Sequence, residues 1–114
     1  MRKQIIENAA YEVATQVRAV EETIDSALAE IAELQARIMR ANLVAAVGYG
    51  AVHPTLQQLA SAVTGLVETR GAIVECHKSL ADAKAKVPGL RTVSWGDGDE
   101  CPPQIAKADL RIVA

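Results

Sequence analysis

With 114 residues and half of them apolar, the chain has the length of one domain, and lacking phenylalanine it must build its core from Ala, Val, Ile and Leu. A core of that kind suits closely packed helices better than a globule around a large pocket. Twelve basic residues against fourteen acidic ones leave a net charge of −2 with no strongly basic run, so no nucleic-acid partner is expected.

The first forty residues carry an apolar repeat of seven. Ala10, Val17, Ile24, Ile31 and Ile38 form one row, and Val13, Val20, Ala27, Leu34 and Ala41 form a second. Rows that alternate by three and four residues make a continuous seam on a helix, and a long seam has to be covered by another helix. No Gly or Pro occurs before Gly48, and Ala, Glu, Gln and Arg dominate the positions between the rows. A helix is therefore predicted from about residue 2 to about residue 45, roughly 65 Å at 1.5 Å per residue. Met1, Arg2 and Lys3 lead directly into this amphipathic segment, which leaves no room for a secretory core and points to the cytoplasm. The weakly polar stretch Ala41 to Val52 is interrupted by Gly48 and Gly50 and is too short for a membrane span.

Gly48-Tyr49-Gly50, closed by His53-Pro54, reads as the breaker, giving an expected turn over 46–54. Thr55 and Gln58 have capping-box spacing, so a second helix is predicted over about 55–86, ending before Pro88-Gly89. Leu59, Leu66, Ile73, Leu80 and Val87 recur every seven residues on it, flanked by Ala60, Val67, Val74 and Ala81. A stripe that wide implies more than one neighbouring helix.

A turn centred near residue 50 would place Leu66 by Leu34, Ile73 by Ala27, Leu80 by Val20 and Arg70 by Glu30, with Lys78 or His77 by Glu22. In that register the second helix runs out near Ala14. Ile5, Ile6, Ala9, Ala10 and Val13 are then left for the C-terminal tail or a second chain to cover. The tail contains Gly96, Gly98, Pro102 and Pro103 and two apolar alternations, Leu90 to Trp95 and Leu110 to Val113, which fit a short β-ribbon. The expected fold is all-α: a long antiparallel, coiled-coil-like helical hairpin over 1–88 that dimerises into a four-helix bundle. The tail, 89–114, is expected to lie on the bundle or on a partner.

Few residues invite chemistry. Arg70, His77 and Lys84 continue the row begun by Leu56 and Val63, so polar groups replace apolar ones halfway along it. A structural role lays their stems along the seam or pairs them with the opposite helix. A functional role makes them a basic stripe for an anionic ligand or an acidic partner. His77 also invites comparison with phosphotransfer helical bundles, but Cys76-His77-Lys78-Ser79-Leu80 lacks the small residue and glycine that admit a partner there. His53, before Pro54, reads as a solvated turn residue. Cys76 and Cys101 are the only thiols, without CxxC spacing, and both are expected reduced.

The acidic turn with Asp97, Asp99 and Glu100 is shorter than a calcium loop, and Cys76 and His77 point about 100° apart on a helix, so no metal or other cofactor is expected. Trp95 is either the anchor that docks the tail or an exposed contact for a partner. No nucleophile, base and oxyanion donors assemble from the spacings, so no catalytic residue is assigned. The chain reads as a non-enzymatic scaffold or adaptor, a homodimer that presents to a protein partner its tail, through Trp95, or a helical face, through Arg70, His77 or Lys84. The alternative is a ligand-binding or phosphotransfer bundle using Arg70, His77 and Lys84.

Overall fold

The computed structural model describes residues 2–90. Trp95, Cys101, the acidic turn and the expected β-ribbon lie outside the described residues. The described chain is all-helical, two long helices making a hairpin: α1, Arg2–Ala45, has 44 residues, and α2, Tyr49–Ala85, has 37.

The uninterrupted run of good helix formers explains α1, and exposed pairs at helical spacing support it. Gln4 Nε2 donates to Asn8 Oδ1 at 2.9 Å and Arg37 Nε to Glu33 Oε1 at 3.3 Å. The helix stops where Ala46 adopts the left-handed conformation, φ 55°, and its N–H donates to the Asn42 carbonyl at 2.7 Å. That is a left-handed C-terminal cap, a place usually given to glycine. Gly48 follows at φ 109°, which completes the reversal in three residues.

The turn is shorter than expected. Gly50, His53, Pro54 and Thr55 lie inside α2, so the predicted turn over 46–54 and the Thr55 cap are both corrected. Proline lacks an N–H, which leaves only the Gly50 carbonyl without its helical donor. Gly50 sits in the first turn of α2 and is exposed to solvent. At its other end α2 tightens into bonds spanning three residues, Lys86 to Ala83 and Val87 to Lys84 at 3.1 Å, then Leu90 to Val87 at 2.9 Å.

One compact unit is Glu21–Ala72, the hairpin's turn with the adjoining parts of both helices. Here Arg70 Nε donates to Asp25 Oδ1 at 2.8 Å. The earlier turn thus shifts the register by five residues, giving Arg70 the carboxylate of Asp25 instead of the expected Glu30. Ile24, beside Asp25, is the buried apolar residue of this unit. The other unit is Met1–Val20 with Ile73–Ala114, described over 2–20 and 73–90. In it a Cβ at Gly89 would stand 3.7 Å from Lys3 Cγ, so the chain after α2 reaches the start of α1. Ile6 and Ala10 are half-buried there, while Ile5, Ala9 and Val13 stay exposed.

The face of α1 centres on the first expected row. Ile24 is buried and Ala10, Val17, Ile31 and Ile38 are half-buried. Of the second row, Val20 and Ala27 are half-buried while Val13, Leu34 and Ala41 are exposed, and Ala14, Glu21, Leu28 and Asn42 share the flank. On α2 the half-buried positions are Val52, Leu56, Leu59, Val63, Leu66, Ile73, His77 and Ala81, two rows wide, and Val87 just past its end is half-buried as well. The expected outer flank is open at Ala60, Val67 and Val74.

Candidate functional site

Leu56, Val63, Arg70, His77 and Lys84 recur every seven residues and so form one line along α2. This line turns toward α1, as the half-burial of Leu56 and Val63 and the bond from Arg70 to Asp25 require. Arg70 and Asp25 are each about half exposed, with a single close nitrogen–oxygen approach. The hydrogen bond from Arg70, with its positive charge, holds the Asp25 carboxyl below its ordinary value. In return the Asp25 hydrogen bond and charge raise the Arg70 guanidinium, with a smaller push from the charge of Glu21.

In the other unit Lys84 is only 9 % exposed, the buried cation of the described chain. It occupies the last turn of α2, where the carbonyl end of the helix dipole favours a positive charge. His77, one row position before it, is half-buried. Both have interaction partners within the protein. Lys78, expected to reach Glu22, instead pairs along its own helix with Glu75 at 3.6 Å. Of the three basic residues, Arg70 thus belongs to one unit and His77 and Lys84 to the other.

Cys76 is an exposed free thiol. Among the described residues no three His, Cys, Asp or Glu side chains come together as metal ligands, and no helix is long and apolar enough to cross a membrane.

The most distinctive surface is one the sequence reading passed over. At the tip of the hairpin Leu43 is 82 % exposed, Val44 89 %, Val47 61 % and Tyr49 93 %. Monomeric proteins seldom expose apolar side chains in such concentration without a use for them. The signal was present in the uncharged run Ala41 to Val52, set between Arg40 and His53. Close by, the Oδ1 of half-buried Asn42 is buried with no hydrogen-bond partner, which adds a small local cost at the tip.

No family model, no curated protein and no solved structure matches this chain.

Proposed function

We propose that the chain is a non-enzymatic scaffold or adaptor of the cytoplasm, a homodimer in which two hairpins form a four-helix bundle and the tail 89–114 is offered, through Trp95, to a protein partner. The observation that carries this reading is the open apolar surface outside the helix-pairing lines. In one unit Leu34 and Val67 are exposed, and in the other Val13, Val74 and Leu80. Among the described residues no side chain is fully buried, so the two helices lack the dry interior that ordinarily stabilises a domain of this length. A second hairpin laid on these residues supplies it. The pairing of Arg70 with Asp25 weighs against the alternative reading, an anionic-ligand or phosphotransfer bundle, because it engages one of that site's three cations within the hairpin.

Light scattering across a dilution series tests the dimer. The expected mass is twice 12.1 kDa, reduced to the monomer by Leu34→Glu combined with Val74→Glu while the helical circular dichroism is kept. A wild-type chain that stays monomeric throughout the series overturns the reading.

A further inference from the structure

We propose that the tip of the hairpin docks on an anionic lipid surface, with Leu43, Val44, Val47 and Tyr49 entering the headgroup layer and Arg37 and Arg40 contacting the lipid phosphates.

The first support is the apolar tip itself, four large side chains projecting from a three-residue turn and the ends of two helices. The second is charge. From residue 34 to residue 67 the chain has no carboxylate, and its only ionised groups are Arg37 and Arg40. Elsewhere acidic residues are in excess, so this surface has the sign that anionic lipids attract and the rest of the chain does not.

The third support is spacing along the axis. Arg40 and Arg37 precede Leu43 by three and six residues, or about 4.5 and 9 Å along the helix. Interfacial segments seat their apolar side chains roughly 5–10 Å into the boundary between headgroups and acyl chains. With Leu43 at that depth, the two guanidinium groups stand at the height of the phosphates, where their flexible stems let them settle. Arg37 now pairs with Glu33 at 3.3 Å, but both side chains are more than half exposed, and a pair so solvated yields to a phosphate. Tyr49 has the apolar ring and polar tip that favour such an interface.

Insertion stays shallow, because no described helix is apolar enough to cross the bilayer. A second copy of the chain fits the tip less well, since joining two tips would bring Arg37 and Arg40 of each against those of the other.

The test is flotation of the full-length chain with vesicles of phosphatidylcholine, and with vesicles in which about a quarter of the lipid is phosphatidylglycerol, at about 0.1 M salt. Association is expected with the anionic vesicles, at least about ten-fold stronger than with the neutral ones. Val44→Asp, at an exposed position, should abolish it while circular dichroism keeps the helical signal. Arg37→Gln with Arg40→Gln, which leaves the apolar residues in place, should weaken it about twenty-five-fold, or some five-fold per arginine. Absence of flotation with anionic vesicles, equal flotation with neutral ones, or a Val44→Asp chain that floats like the wild type would each overturn the proposal. So would loss of self-association in Val44→Asp when the wild type does not float, since the tip would then be a protein contact.

Discussion

Two regions of the described chain, the turn between the helices and the segment that leaves α2, treat charge and hydrophobicity in opposite ways. Where the chain leaves α2, Leu90 is 4 % exposed and Lys84, a charged residue, is nearly as well covered. At the tip, by contrast, Leu43, Val44, Val47 and Tyr49 stand open to solvent. Side-chain hydropathy does not explain this difference; the course of the backbone does. Past Ala85 the chain keeps turning, with Leu90 N–H bonded to the Val87 carbonyl and Gly89 near Lys3, so there is more chain to lie over the helix ends. At the tip the reversal takes three residues, and nothing among the described residues follows that is able to cover them. Burial in a two-helix structure follows the supply of neighbouring chain, and an apolar residue beyond that supply is available for something else.

A charge placed at both kinds of position breaks or sharpens this contrast most strongly. Ile24→Asp, in the helix-pairing face, is expected to destabilise the fold by about 3 kcal/mol or more, because it puts an unpaired carboxylate where an apolar side chain is buried. Val44→Asp, at the tip, should change stability by less than about 0.5 kcal/mol. Urea unfolding followed by circular dichroism measures both. Equal losses for the two variants would mean that the tip is covered in solution after all.

A smaller effect is expected in the turn that separates the tip's two helices. Ala46 carries a Cβ in the left-handed region, so Ala46→Gly should raise stability by about 1 kcal/mol. Gly48 has open space around it, but its φ of 109° is one that L residues rarely adopt, and Gly48→Ala should cost about 1 kcal/mol through the backbone alone. Thermal unfolding of the two variants should move the midpoint in opposite directions. A shift of the same sign in both would show that the reversal is not built on these two residues.

Much of the helical architecture was legible because it follows from simple absences and repeats. Without Gly or Pro before Gly48, α1 had no reason to stop earlier, and the row from Ala10 to Ile38 marked its contact face. The second row misled, because Val13 and Leu34 are as apolar as the residues that became buried, and hydropathy does not say which side of a helix will receive a single neighbour. Pro54 misled in another way. Proline reads as a stop, whereas so close to the start of a helix it removes one bond at an exposed carbonyl. Moving the start of α2 forward carried the register with it, which is why the partner of Arg70 is Asp25 and not Glu30. The tip was hidden by classification. A stretch too short to span a membrane and broken by glycines was set aside as a turn, although its exposure is the feature that distinguishes it.

The contact between Arg70 and Asp25 supplies the smallest effect and the finest check on the register. Its sign follows from linkage. Asp25 titrates below its ordinary value of 3.8 in the folded chain, so the carboxylate's contribution is fully present above that value and is lost as pH falls through the folded pKa. Arg70 is charged throughout this range, and its own rise has no consequence near neutrality. Both groups are solvated, so the stability at stake is small, and the direct observable is the titration of the Asp25 carboxyl by NMR. In the wild type its midpoint should lie below 3.8, and in Arg70→Gln it should return toward 3.8. An Asp25 midpoint unmoved by the substitution would overturn the pairing and, with it, the register that the shorter turn sets.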